Sequence, residues 1–359
     1  MAKIRVLVVE DSVTVRKYLV EVLDADPDIE VIAEAEDGKR AMELCETLRP
    51  DAVSLDMMLP EVSGLAATEY IMAFCATPIL IVSASLNRGE VFKTYDALNS
   101  GAVDVLEKPA DIPSEHWEHK YRQAIKMVSR IRVMTHHRAR LAERLSRRDR
   151  PVETLQASGG RFRCVAIGAS TGGPGAVARL LNGLPGDFPL PILLVLHIGT
   201  PFGVALTDWL DTVAPMPVRN AIDGQLLPPV GKPQVLLAPP DRHLILRGGR
   251  LWATSDPERH HCRPSVDVLL ESLARETGGS VIACLLTGMG RDGASGLLEI
   301  KRAGGVTMAQ DEASCVVFGM PRAAIELNAA RRVLPLGDIA RALVHLAQGR
   351  GLDNGWSTP

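Results

Sequence analysis

Residues 164–173 read Cys-Val-Ala-Ile-Gly-Ala-Ser-Thr-Gly-Gly. The apolar run Val165 to Ile167 has the length of a buried strand. It is expected to end at Gly168, with a helix opening near Pro174, because proline suits the first helical turn. Ser170 falls between them, with Gly168 and Gly172 two residues away on either side. Glycines there allow a sharp turn and close approach of a substrate. A serine on such a turn stands at the C-terminal edge of a sheet. The helix N-terminus beneath it offers free N–H groups that suit a developing oxyanion. The pattern G-x-S-x-G marks a nucleophile elbow. Taken alone, the same ten residues also suit phosphate binding or plain packing.

Outward from this turn the pattern stays α/β. A strand, Pro191 to Leu196, ends at His197, and a helix is expected over Phe202 to Val213. Proline- and glycine-marked strands follow between Gln225 and Ala253, with a hairpin at Arg247-Gly248-Gly249-Arg250. A helix begins near Ser265, and the buried strand Ser280 to Leu286 runs into Thr287-Gly288-Met289-Gly290-Arg291-Asp292-Gly293. A short strand over Val306 to Met308 and a helix over Ala340 to Leu346 complete the pattern. Ser170, His197 and Asp292 therefore all follow strand ends, which share one edge in a parallel sheet. An ester hydrolase needs this set. His197 would take the Ser170 proton and return it to the leaving group, and Asp292 would fix the imidazole tautomer. The chain order Ser, His, Asp differs from that of α/β-hydrolases, so that fold is not expected. His243 lies in an apolar alternation and reads as a packed strand residue, and His345 as exposed on a late helix. His260-His261-Cys262 reads as a surface loop, since three adjacent residues cannot all face one ion.

The first 125 residues alternate strand and helix five times, with strands at Ile4–Val9, Val31–Ala33, Ala52–Leu55, Ile79–Val82 and Val103–Leu106. Near-continuous apolar strands argue a doubly wound parallel sheet. Ligands in such sheets bind beyond the C-terminal strand ends. Glu10, Asp11, Asp56, Ser83 and Lys108 gather there. Three converging carboxylates call for a cation, and oxygen ligands suit Mg²⁺. Lys108 adds a second positive charge for a phosphoryl group.

Length and composition bound the rest. The 359 residues fit two domains, 1–125 and 163–349, joined by a linker at 126–162 and followed by a tail at 350–359 that contains Trp356. The tail is expected to be disordered. A net charge of −3 argues against general affinity for nucleic acid or anionic membranes. No stretch has the length of a membrane-spanning helix, and the N-terminus enters a strand rather than a signal peptide. Six scattered cysteines without C-x-x-C fit reduced thiols and a cytoplasmic location. From Lys120 to Arg150 there are eleven Lys or Arg against two acids, a local formal charge of +9. Ile125, Val128, Ile131 and Met134, then Leu141 and Leu145, predict one or two helices there, with flexible chain after Pro151.

The first 125 residues resemble the receiver domain of two-component response regulators, a flavodoxin-like fold. That resemblance implies that Asp56 accepts a phosphoryl group from a histidine kinase, that Glu10 and Asp11 help hold Mg²⁺, and that Ser83 and Lys108 form the phosphoryl switch. Met58 and Ser63 stand where many receivers carry acids. In the second half, Gly168 to Gly173, His197, Arg263-Pro264-Ser265-Val266-Asp267, Leu286 to Gly293 and Ser314-Cys315-Val316-Val317-Phe318-Gly319-Met320-Pro321 resemble the chemotaxis protein-glutamate methylesterase family, CheB. The resemblance implies hydrolysis of γ-methyl glutamate esters on the cytoplasmic helices of chemoreceptors, deamidation of receptor glutamines, and no cofactor for either reaction. Ser170, His197 and Asp292 match the catalytic positions, and the backbone N–H groups of Thr171 and Met289 match the oxyanion donors. It also implies phosphorylation by a CheA-type kinase that activates the hydrolase, and a monomer before phosphorylation. The competing readings are a serine hydrolase for another ester or amide, and a non-catalytic regulator that docks partners through its receiver.

Overall fold

The computed structural model describes residues 2–84, 88–109, 114–131, 133, 161–198 and 200–350. Contacts divide the chain into two units, Met1–Arg150 and Pro151–Pro359. The helices expected around Met134, Leu141 and Leu145, the chain at 151–160 and the tail from 351 lie outside the described residues.

The first unit runs β1 (Ile4–Val9), α1 (Val13–Asp24), β2 (Ile29–Ala35), α2 (Gly38–Leu48), β3 (Ala52–Leu55), α3 (Gly64–Phe74), β4 (Ile79–Ser83), α4 (Arg88–Asn99), β5 (Asp104–Glu107) and α5 (Glu115–Val128). Its five strands form a parallel sheet in the order β2-β1-β3-β4-β5. Ser12, Asp37 and Ser63 cap α1, α2 and α3, each side chain accepting a backbone N–H of the first turn. Ser63, one of the departures from the acid-rich receiver pattern, thus has a structural use as an N-cap. β2 is longer than the expected Val31–Ala33. It is an edge strand whose Glu30 and Glu34 are exposed, so its apolar run understates its length. β5 sits one residue later than expected, because its pairing runs from Leu80 with Asp104 to Ser83 with Glu107. α5 stops at Val128, with Ser129 donating to Ile125 O, so Ile131 falls beyond the helix that the apolar spacing predicts.

The second unit runs β6 (Cys164–Ala169), α6 (Gly173–Asn182), β7 (Ile192–Leu196), α7 (Thr200–Val213), β8 (Val218–Asn220), β9 (Val235–Leu237), β10 (His243–Arg247), β11 (Arg250–Thr254), α8 (Val266–Thr277), β12 (Val281–Leu285), α9 (Ala294–Arg302), β13 (Val306–Gln310), α10 (Met320–Glu326), β14 (Arg332–Leu334) and α11 (Leu336–Ala347). Seven strands form a parallel sheet in the order β14-β13-β12-β6-β7-β9-β8. From β6 the chain first builds outward through β7, then crosses to β12 on the other side. The strand order therefore reverses between β6 and β12, and the C-terminal edge there is where open α/β sheets form crevices. β10 and β11 form the expected hairpin, whose Gly248 and Gly249 have φ of 60° and 71°. Two positive φ values in a two-residue loop match the right-handed strand twist.

Three expectations need correction here. Gly168 does not end β6; it lies inside the strand, paired with Val195 and Leu285. His345 is half-buried rather than exposed, because it stands beside the buried Ala342 and Leu346 on α11. His260-His261-Cys262 is only partly a surface loop: His261 is exposed, while His260 and Cys262 are half-buried against other side chains.

Gly168 is a glycine for reasons of space. A Cβ there would stand 2.3 Å from Val266 Cγ1, at the start of α8. Gly168→Ala should therefore destabilise the protein by about 1–3 kcal/mol through overpacking. A urea unfolding midpoint equal to the wild type's would refute this close approach of helix to strand.

Candidate active site

The C-terminal ends of β6, β7 and β12 bring the three sequence-predicted residues to one edge. Ala169 pairs with Leu196 in the ladder, and His197 N–H continues it by donating to Ala169 O at 3.1 Å. Ser170 and His197 are thus the next residues on adjacent strands. On the other side Ser170 N–H donates to Thr287 O at 3.0 Å. Gly172, with φ of 73°, turns the chain from the serine into α6. Among the described residues, the Ser170 hydroxyl makes no hydrogen bond.

Asp292 follows β12 and is 1% exposed. Its Oδ2 lies 2.8 Å from His197 Nε2 and accepts from Val266 N–H at 2.7 Å. Its Oδ1 accepts from Ser265 Oγ at 2.7 Å and Asp267 N–H at 3.1 Å. Ser265 is the N-cap of α8, so the carboxylate rests on that helix's N-terminus, where the backbone dipole favours an anion. Burial pushes the Asp292 carboxyl up, but His197, Ser265 and Val266 outweigh it and hold it below its ordinary value. Asp292 is therefore an acceptor, and Nε2 of His197 carries the proton between them. In the neutral ring the lone pair is then on Nδ1. Burial would lower the imidazole; the bonds to Asp292 and to Cys262, whose Sγ is 3.6 Å from Nδ1, raise it instead to about 9.

Around Ser170 the backbone approaches closely. A Cβ at Gly288 would lie 2.7 Å from Ser170 Cβ and 2.4 Å from Met320 Sδ. Gly288 is held by the 314–321 segment: its N–H donates to Val317 O at 3.0 Å, and its O accepts from Gly319 and Met320. Met289 is 58% exposed, and its N–H has no hydrogen-bond partner among the described residues. Buried Thr287 ties the loops together. Its Oγ1 donates to Thr171 O at 3.0 Å and accepts from Val317 N–H at 2.9 Å, while its N–H donates to Gln310 Oε1 at 2.8 Å.

The first unit gathers its own set at strand ends. Glu10, Asp11 and Asp56 place ligand atoms within 4.8 Å of one another. Lys108 Nζ lies 2.6 Å from Glu10 Oε2 and 2.8 Å from Asp56 Oδ2. Burial raises the Glu10 carboxyl despite Lys108. Burial would lower the Lys108 ammonium, but Asp56 and Glu10 raise it. The Ser83 hydroxyl, at the end of β4, is buried and has no hydrogen-bond partner among the described residues. An oxygen-only donor set of three carboxylates fits a hard cation such as Mg²⁺.

Comparison with known proteins agrees with both halves. Residues 165–343 match the family model for CheB methylesterase, and residues 6–115 match the model for the response regulator receiver domain. The chain is 43% identical over 346 residues, 96% of its length, to protein-glutamate methylesterase/protein-glutamine glutaminase 2 of Anaeromyxobacter dehalogenans, covering 97% of that protein. It is 41% identical over 97% of its length to the protein-glutamate methylesterase/protein-glutamine glutaminase of Nitrosospira multiformis, covering 98% of that protein. It is also similar to the crystal structure of the Thermotoga maritima CheB methylesterase catalytic domain, with 37% identity and a TM-score of 0.49, over 52% of this chain and 98% of that one. The chain belongs to the CheB methylesterase family.

Within this CheB-family chain, sequence reasoning missed the residues that support the site. Ser265, Thr287 and Gln310 are buried polar residues joined to one another, to Asp292 and to backbone in other loops by bonds that span 23–116 positions. Ser265 showed itself as a helix start and as part of the Arg263-Pro264-Ser265-Val266-Asp267 run, but not as a partner of Asp292. Its second role follows from Asp292 being lodged on that helix. Ser265→Ala removes both the cap and a charge-assisted bond, so it should cost about 1–3 kcal/mol. Urea unfolding of the variant measures this; a loss near zero would mean the cap is dispensable.

Proposed function

We propose that this chain is a chemotaxis adaptation enzyme that hydrolyses glutamate γ-methyl esters on chemoreceptor cytoplasmic helices, deamidates receptor glutamines, and is activated by phosphorylation of Asp56. The observation that carries this reading is the buried pairing of His197 Nε2 with Asp292 at 2.8 Å, one strand away from the unengaged Ser170 hydroxyl.

In this reading Nδ1 of His197 accepts the Ser170 proton as Oγ attacks the ester carbonyl. The N–H groups of Thr171 and Met289 receive the developing oxyanion. Asp292, already ionised and held by Ser265 and α8, stabilises the imidazolium without taking its proton. The imidazolium then protonates the departing methoxide, releasing methanol. Water, deprotonated by the same Nδ1, cleaves the acyl-serine to leave glutamate. With glutamine the leaving group is ammonia. The names of the relatives, which carry both methylesterase and glutaminase, support both reactions.

Regulation follows from the receiver. Asp56 accepts the phosphoryl group from a CheA-type histidine kinase. Glu10, Asp11 and Asp56 would hold Mg²⁺, which offsets the phosphoryl charge when bound. Lys108, now shared between Glu10 and Asp56, is placed to follow the phosphoryl oxygens, and the buried Ser83 hydroxyl is available to them. No described helix is long and apolar enough to cross a membrane, in keeping with a cytoplasmic enzyme acting on receptor segments outside the bilayer.

The deciding experiment measures methanol release from a methylated receptor fragment, with and without a small-molecule phosphodonor and Mg²⁺. Wild type should release methanol and accelerate with the donor, Asp56→Asn should not accelerate, and Ser170→Ala should lose roughly four to six orders of magnitude in rate. No methanol from folded, phosphorylated protein would favour the docking regulator or another hydrolase.

The pH dependence has a definite sign. The base must be neutral, and its conjugate acid is raised to about 9. Activity should thus climb with pH and level off only above that value. A plateau already complete at pH 7.5 would contradict the raised imidazole.

A further inference from the structure

The short turn that carries Cys262 is strained. Arg259 and Cys262 close it with two backbone bonds, Cys262 N–H to Arg259 O at 2.9 Å and Arg259 N–H to Cys262 O at 3.2 Å. The two residues between them, His260 and His261, both have left-handed backbone, with φ of 53° and 60°. Two-residue turns of this kind normally use Asn-Gly or Gly-Gly, because a Cβ in the left-handed region is costly. Strain of this sort persists where the surroundings over-determine it.

The surroundings do so here through two side chains. His260 Nε2 lies 3.1 Å from Asp267 Oδ2, in the first turn of α8. Cys262 Sγ lies 3.6 Å from His197 Nδ1 and 3.4 Å from His260 O. The thiol thus meets the imidazole on the nitrogen opposite Asp292, the one that must take the Ser170 proton. A thiol both donates and accepts weak hydrogen bonds. When His197 is neutral, S–H can point to the Nδ1 lone pair. When Nδ1 is protonated, S–H can turn to His260 O, and sulfur accepts from the ring.

We propose that Cys262 is a positioning residue for His197, holding the imidazole through Nδ1 in both of its protonation states, more strongly when the ring is charged, and yielding that nitrogen to Ser170 during attack. The inference rests on His197 being the base of the proposed reaction. The turn's left-handed histidines are what bring the sulfur to the ring. The titratable groups facing this ring are Asp292, from the loop after β12, and Cys262 itself; Asp267, with His260 and Arg259 around it, lies one residue-layer further out.

The test compares wild type, Cys262→Ala and Cys262→Ser as full-length protein. NMR of labelled histidine follows the His197 ring, assigned by the loss of its signal in His197→Asn. The ring's titration midpoint, about 9 in the wild type, should move toward the ordinary 6.5 in Cys262→Ala. The rise of kcat/KM with pH should move in the same direction. Above the midpoint, where the ring is neutral, kcat/KM of Cys262→Ala should fall by up to roughly tenfold, the loss expected of one hydrogen bond that orients the base. Cys262→Ser, which keeps a donor and acceptor, should fall between the two. A midpoint and a pH profile identical in all three folded proteins would overturn the proposal. The titration needs no substrate, so it decides the role of the thiol even if methanol release fails and takes the proposed reaction with it.

Discussion

A carboxylate buried to 1% exposure is untenable unless nearly all its acceptor capacity is filled, and Asp292 meets that condition. Ser265 Oγ, the N–H groups of Val266 and Asp267, and His197 Nε2 all donate to it. These bonds tie three elements to one atom group. α8 must begin where it does, β12 must end where it does, and His197 must present Nε2 rather than Nδ1. The tautomer of the candidate base is thus a consequence of how an anion was made tolerable in the interior.

The receiver end of the chain handles buried charge differently. Lys108 is shared by Glu10 and Asp56, while the Ser83 hydroxyl has no hydrogen-bond partner among the described residues. Asp292 sits in a closed, fully bonded arrangement; the receiver site is left with competing charges and a spare donor. A fully bonded network rigidifies, as the carboxylate of the proposed triad requires. A partly satisfied one can be rearranged by a new anion at modest cost, as a switch requires. One fold principle, polar residues gathered at parallel strand ends, serves both uses.

Space around Ser170 is set by what is missing from side chains. Gly288 lies against the serine itself, and Gly168 against Val266 of the helix that holds Asp292. The 314–321 segment contributes no group to the proposed triad, yet it fixes Gly288 and, through Thr287, the loop after Ser170. Strain appears at the turn with His260 and His261, where left-handed backbone without glycine brings Cys262 to the ring.

Much of this was readable in the chain. Strand–helix alternation, the apolar runs and the placing of Ser170, His197, Asp292, Glu10, Asp11, Asp56, Ser83 and Lys108 at strand ends are local patterns, and periodicity and turn chemistry report them directly. Local patterns blur where a strand lies at an edge, as in β2, or where a glycine sits inside a strand because of a distant helix, as at Gly168. Backbone periodicity alone specifies the two α/β halves and the residues able to do chemistry, because it forces those residues to one edge of each sheet. Which imidazole nitrogen meets Asp292, the seating of that carboxylate on Ser265 and α8, and the approach of Cys262 to the other nitrogen emerge from packing across the fold. These depend on contacts between residues as many as 95 positions apart, and no local pattern encodes how such groups meet.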